Sequence, residues 1–258
     1  MNFEYFFVSL PGLFWICIIT PALFALGGVC LARKLIGPDY RQQHHDIANA
    51  VIGPVATIFG IMAAFIVATA WSQYSITQVN INEESDSLRS LYLNAQAFPP
   101  EFCKELRSLY RLYRGAVLHN EWKIVQKGKD ELDGDAILKK LSDLYTSYSV
   151  RDNKELAYFE LSISKLDRLK NLRQQRIDDS SSTMLPFLWM LFLLGAATLV
   201  TVSFLMVSSV AKSHGAMAML LAMVIGLMIY AVVSLDLPFV GPAKISNHQF
   251  QSLHLEED

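Results

Sequence analysis

Four stretches of the chain contain no Asp, Glu, Lys or Arg: residues 5–32, 47–82, 180–211 and 213–235. They run 28, 36, 32 and 23 residues. About 20 apolar residues cross the ~30 Å hydrocarbon core of a bilayer. The pattern therefore predicts four transmembrane helices, over 5–32, 51–72, 185–210 and 215–237. Pro11 and Pro21 interrupt the first, which a membrane helix tolerates when neighbours re-satisfy the freed carbonyls. The second stretch is too long for one crossing at 1.5 Å per residue. Its polar end, Ser72-Gln73-Tyr74-Ser75, keeps the helical pattern, so span two is expected to leave the membrane as one long helix reaching about residue 95. Only Lys212-Ser213-His214 and a few neighbours join spans three and four, which makes them an antiparallel hairpin. Residues 33–50 read as a loop.

The polar remainder is periodic too. Phe102, Leu106, Leu109, Tyr110, Tyr113 and Val117 recur at helical spacing. So do Ile137, Leu141, Leu144, Tyr145 and Tyr148, and then Leu156, Phe159, Ile163, Leu166 and Leu169. Phe98-Pro99-Pro100 and the Lys127-to-Asp135 stretch, with Gly128 and Gly134, punctuate them. Residues 73–183 are thus expected to form an extramembrane bundle of about four amphipathic helices, its first and last members continuing spans two and three. Residues 238–258 remain as a C-terminal tail. The fold class is all-α: a polytopic membrane protein with a helical bundle inserted between spans two and three.

Composition agrees with this and narrows the function. The chain is 52% hydrophobic and 18% charged, against about 25% charged for a soluble domain. A soluble enzyme and a disordered chain are both excluded. The 83–179 segment holds 34 of the 46 charges, 17 of each sign. The net charge of −2 comes without a basic stripe, so nucleic acid is not an expected partner. Cys17, Cys30 and Cys103 are too few and scattered for a disulfide framework. The N-terminus lacks the positive region of a signal peptide and reads as a retained span. Four spans put both termini and the bundle on one face. The positive-inside rule does not assign that face: Arg33, Lys34, Arg41 and Lys212 oppose Arg89, Arg168, Lys170, Arg173, Arg176 and Lys244, and charges in long segments count poorly.

No catalytic motif is visible: no GxSxG, HExxH, Walker loop or Gly-rich fingerprint. No cofactor, metal or catalytic residue is assigned, and the chain reads as a non-enzyme. His44-His45-Asp46 reads as solvated loop, and His119 and Glu121 likewise. Asp178-Asp179 reads as a solvated turn or helix end beside Arg173 and Arg176. Glu83, Glu84 and Asp86, after span two, read as charges on a solvated helix. No span carries a central ionisable residue, which argues against a proton- or ion-coupled transporter. Span two is more informative. Ala56, Gly60, Ala64 and Ala68 repeat every four residues, a ridge for close helix packing. Beside it run Thr57, Ile61, Phe65 and Thr69. Around an axis of several copies this second ridge is a candidate pore lining, with an apolar ring that gates by dewetting. Span four has its own small ridge, Ala218, Ala222 and Gly226, among Met217, Met219, Met223 and Met228, which read as packing filler.

Several blocks together resemble the bestrophin-like domain family of bacterial membrane proteins. They are Gly60-Ile61-Met62-Ala63-Ala64-Phe65, Trp71-Ser72-Gln73-Tyr74, Glu83-Glu84, Leu88-Arg89-Ser90-Leu91-Tyr92, Tyr110-Arg111, Glu121-Trp122, Arg173 with Arg176, and Asp236-Leu237-Pro238-Phe239-Val240-Gly241. The motif residues are Trp71, Tyr74, Glu84, Glu121, Trp122, Asp236, Pro238, Phe239 and Gly241. A more distant resemblance is to bestrophins, pentameric anion channels whose second span lines an apolar neck and continues into the cytosol. The doubled tryptophan after arginine that follows the bestrophin neck is absent here, as is an acidic calcium clasp. The resemblance implies a homo-oligomeric, by analogy pentameric, ion channel passing anions. It implies span two as the neck, and a bacterial inner membrane with the bundle and both termini cytoplasmic. The alternative is a non-conducting membrane scaffold or sensor whose helical domain binds a partner.

Overall fold

A computed structural model of the protein describes residues 10–36, 38–122, 134–181, 184–204, 211–240 and 242–255. The described residues contain no strand. The helices are α1 Leu10–Leu35, α2 Pro38–Asn94, α3 Pro100–Ala116, α4 Gly134–Ser147, α5 Asn153–Ser181, α6 Pro186–Phe204, α7 Ala211–Asp236 and the short α8 His248–Gln251. A π turn, Val117–Glu121, follows α3. Four segments are long and apolar enough to cross a membrane, in α1, α2, α6 and α7. The chain forms two compact units. One, the spanning unit, comprises Met1–Tyr74 with Thr183–Ala243; the other, the polar unit, comprises Ser75–Ser182 with Lys244–Asp258.

Two sequence expectations change at helix ends. The 33–50 segment is helical from Pro38 onward. Proline suits a first helical position, where its missing N–H has no partner to lose. Helix α2 then runs 57 residues to Asn94. The last bundle helix does not continue into span three: α5 ends at Ser181 and α6 opens at Pro186. Proline pushes the residue before it away from helical geometry. The Leu185 carbonyl, just outside α6, instead accepts the Leu188 N–H at 2.9 Å. Residues 205–210, the expected end of span three, lie outside the described residues.

The spanning unit packs on small residues. Ala218, Ala222 and Gly226 of α7 are all buried. A Cβ added at Gly226 would lie 2.2 Å from the Cys17 carbonyl oxygen of α1. Pro21 lacks the N–H that would have bonded that carbonyl. Proline thus frees an acceptor, and glycine lets the α7 backbone close over it, a Cα–H to oxygen approach. Phe59 of α2 stacks on Phe192 of α6 at 5.7 Å. Ala25, Val29, Ala63, Ile66, Ala196 and Leu199 complete the same core. His214 in the first turn of α7 lies 2.9 Å from the Ser203 carbonyl of α6, which closes the hairpin of spans three and four. At its other end Asp236 accepts the Met184 N–H (2.6 Å) and the Trp189 indole N–H (3.1 Å).

The polar unit buries the periodic residues. Leu106, Tyr110 and Tyr113 of α3, Leu141 and Tyr145 of α4, and Leu166 and Leu169 of α5 are at most 2% exposed, with Leu88 and Leu91 of α2. Leu156 is an exception and lies exposed. Phe98, between α2 and α3, meets Phe102, Tyr145 and Tyr148 edge-on. Asp152 caps α5 by accepting the Glu155 N–H at 2.7 Å, the role for which Asp is favoured there. The C-terminal segment is no loose tail. Ile245, Phe250, Leu253 and Leu255 are buried. Arg114 donates to the carbonyls of Phe250 (2.8 Å) and Gln251 (3.0 Å).

Candidate functional site

Span two presents contrasting faces. Phe59, Ala63, Ile66 and Ala70 are buried in the spanning unit. Thr57, Ile61, Phe65 and Thr69 are exposed, Ile61 at 55% and Phe65 at 70%. The Thr57 hydroxyl donates to the Gly53 carbonyl and the Thr69 hydroxyl to the Phe65 carbonyl, both at 2.9 Å. The hydroxyls are thereby satisfied within their own helix, and the ridge presents a largely apolar surface. The neighbouring small ridge is not the one that packs within the chain. Ala56 and Gly60 are half-buried, Ala64 and Ala68 are exposed, and a Cβ at Gly60 would meet nothing within 4 Å. The packed face alternates large and small residues, which fits against Phe192, Ala196 and Leu199. Trp71 is exposed and stacks with half-buried Tyr74 at 6.1 Å.

The polar unit holds a buried chain of charges. Glu84 and Glu121 are fully buried, as is Arg176, and Arg173 is 2% exposed. Arg176 donates from Nε to Glu84 Oε2 (2.7 Å) and from Nη2 to both Glu84 Oε1 (3.1 Å) and Glu121 Oε2 (2.7 Å). Arg173 donates to Glu121 Oε1 from Nε (3.0 Å) and Nη2 (2.8 Å), and pairs with Asp135 through Nη1. Tyr113 donates to Glu84 Oε1 at 2.7 Å, and the Gly134 N–H to Glu121 Oε1 at 3.0 Å. A Cβ at Gly134 would press on Glu121 Oε1 and Arg173 Nε, so a larger residue here would have to displace the ion pair. The Arg176 guanidinium lies 5.9 Å above the Trp122 ring. Cation–π attraction to a ring face at that range adds to the ion pairs.

Charge states follow from this geometry. Burial alone would raise the Glu121 carboxyl, but Arg176 and Arg173 outweigh it and hold it below the ordinary carboxylate value. Burial disfavours the Arg176 cation, yet Glu84, Tyr113 and Glu121 push its pKa above the usual guanidinium value. Burial, with Glu84 beside it, raises the Tyr113 phenol well above its ordinary range. At neutral pH Glu121 is thus a carboxylate between two guanidiniums, and the Tyr113 phenol beside them is neutral. The network ties α2, α5 and the turn after α3 together through buried ion pairs.

These contacts correct the solvated readings of Glu84 and Glu121. Glu84 continues the buried stripe of Ile81, Leu88 and Leu91, and Arg173 and Arg176 continue that of Leu166 and Leu169. Glu121 follows Tyr113 and Val117, carried inward by the π turn. Charges at core positions of three helices were the available signal for a buried ion network. Glu83 and Asp86, by contrast, lie at the surface side: Glu83 pairs with half-exposed Arg168, and Asp86 is exposed. Asp179 accepts the Thr77 hydroxyl at 2.7 Å. Trp122 is 5% exposed and Phe239 2%; Pro238 is buried too. Gly241 lies outside the described residues. Among the described residues no group of three or more His, Cys, Asp or Glu side chains is placed to hold a metal ion.

No curated protein matches the chain. Solved structures do match. Two point variants of a bacterial bestrophin homologue from Klebsiella pneumoniae superpose with TM-scores of 0.68 and 0.69, at 11% and 12% identity. A further structure of that homologue gives 0.67 at 12%. Each match covers 90% of this chain and 94% of the other. At such identity the likeness is one of fold. The sequence profile of the Bestrophin-like domain matches residues 9–250, nearly the whole length. With its four membrane-spanning segments, the chain is an integral membrane protein that belongs to the Bestrophin-like domain family.

Proposed function

We propose that the protein is a homo-oligomeric anion channel whose pore is lined by span two, with Ile61 and Phe65 as the apolar constriction and Thr57 and Thr69 flanking it. The observation that carries this is the exposed ridge. Two large apolar side chains stand out from a helix whose opposite face is packed, between hydroxyls already bonded to their own backbone. Such a ridge repeated around an axis makes a narrow apolar neck. Ala64 and Ala68, exposed on the adjacent face, suit close approach of a neighbouring copy. A pentamer follows by analogy with bestrophins, as does a bacterial inner membrane with the polar unit and both termini cytoplasmic. The reading is of a transport protein rather than a catalyst. In planar bilayers Ile61→Ala with Phe65→Ala should raise unit conductance, and native mass spectrometry should give five copies. Purified protein that passes no anion under any gating condition, or that is a monomer or dimer, overturns the proposal and favours a non-conducting scaffold.

A further inference from the structure

A cleft of about 550 Å³ opens on the polar unit between α2 and the C-terminal segment. Asn82, Ser85, Asp86 and Arg89 line it from α2, and Gln249, Ser252, Leu253 and His254 from the segment. Its walls are held in place. Ser85 donates to the Gln249 carbonyl at 3.1 Å, and Arg114 binds the next two carbonyls. His254 Nδ1 lies 2.8 Å from the Ser252 carbonyl, which leaves its Nε2 uncommitted.

The charges in this cleft differ from those around it. Glu83 is paired with Arg168 and Glu84 with Arg176. Asp86 and Arg89 are both exposed and bond no side chain among the described residues. They stand one helical turn apart on α2, a spacing that brings Cβ atoms to about 5–6 Å. A cleft carrying one unpaired anion and one unpaired cation disfavours a simple anion and a simple cation alike. An ammonium group carries three donors and a carboxylate accepts them, while a guanidinium fork matches a carboxylate.

We propose that this cleft binds a small zwitterion of the amino-acid type, its carboxylate on the Arg89 guanidinium and its ammonium on the Asp86 carboxylate. The binding does not depend on whether the protein conducts, so it is tested separately. Glycine, L-alanine and β-alanine are titrated calorimetrically into the full chain in detergent, with acetate and methylammonium as single-charge controls. At least one zwitterion should bind about tenfold or more tightly than either control, a difference of about 1.4 kcal/mol. Asp86→Asn and Arg89→Gln should each lose that advantage while melting like the parent, since both residues are exposed and unpaired. Three results overturn the proposal: no heat with any zwitterion, acetate or methylammonium binding as tightly, or both variants binding glycine like the parent. Should a variant fail to fold, the comparison with the single-charge controls still decides.

Discussion

Each unit is held together internally by a different kind of residue. In the spanning unit the closest contacts use residues with little or no side chain, as where Gly226 faces the Cys17 backbone and Gly195 meets Met62 and Phe59. Hydroxyls there turn back on their own helix, as Thr20 does on Ile16 and Ser234 on Tyr230. In the polar unit the core contains four charged side chains bonded to one another. Lipid tails are as apolar as leucine, so spans gain nothing by hiding leucines from them and associate through close packing instead. In water, leucines collapse without direction. A buried ion network that is satisfied at only one register adds the direction.

The largest effect is expected at Arg176. Arg176→Ala leaves Glu84 and Glu121 buried without their shared cation. Removing one partner of a buried pair is expected to destabilise by about 3–5 kcal/mol. Denaturant unfolding followed by fluorescence should show it, with Trp122 beside the lost guanidinium as reporter. A loss below about 1 kcal/mol, the size of a surface pair, would mean the network is not what holds the unit.

The counterpart in the spanning unit is Gly226→Val. Its added atoms meet backbone that cannot move aside, and overpacking of this kind costs about 1–3 kcal/mol. Thermal unfolding in detergent should register the loss in the spanning unit, while the urea midpoint of the polar unit stays put. A variant that melts like the parent would show that α1 and α7 do not approach so closely.

Smaller, and confined to the polar unit, is the response to pH. The Glu121 carboxyl is lowered on folding, so its stabilisation is present above the unfolded value of about 4.3. It is lost as pH falls through the lowered folded value. Tyr110 and Tyr113 are raised by burial, so their stabilisation is present below about pH 10 and is lost above it. Melting temperature should therefore decline at both ends of the range. An acid limb that stays flat would mean that Glu121 is not an anion in the folded unit.

The smallest effect belongs to Arg168→Ala. Its pair with Glu83 is about half exposed on each side, and such pairs contribute about 0–1 kcal/mol. A loss equal to that of Arg176→Ala would erase the distinction between buried and exposed charge on which the comparison rests.

The spans were legible because membrane crossing demands a run of uncharged residues, and that demand is local. The bundle was legible for a similar reason: Leu106, Tyr110 and Tyr113 repeat within one helix. The ion network was not read, because its partners lie far apart along the chain, with Glu84 and Arg176 separated by 92 positions. Taken singly each charge looked solvated. Only their places on apolar stripes distinguished them. The C-terminal segment was missed for another reason. Phe250, Leu253 and Leu255 are too few to show a period, and their burial comes from α2 and the turn after α3. Along span two the residues Thr57, Ile61, Phe65 and Thr69 could be read as one face, but the helix spacing could not say which small ridge packs inside the chain. That depended on Phe192 and Gly195 of a helix more than a hundred residues later.

The C-terminal segment has a consequence for how the molecule is made. Residues 245–255 belong to the polar unit, yet they are synthesised after spans three and four. The bundle residues 75–181 therefore leave the ribosome with part of their core still missing. That part arrives on the correct side only if the last two spans have made one crossing each, out and back. A chain whose fourth span fails to insert strands Phe250 and Leu253 across the bilayer from the surface they cover, and leaves Arg114 without its two carbonyls. The polar unit is therefore completed only after both of the last two spans have crossed.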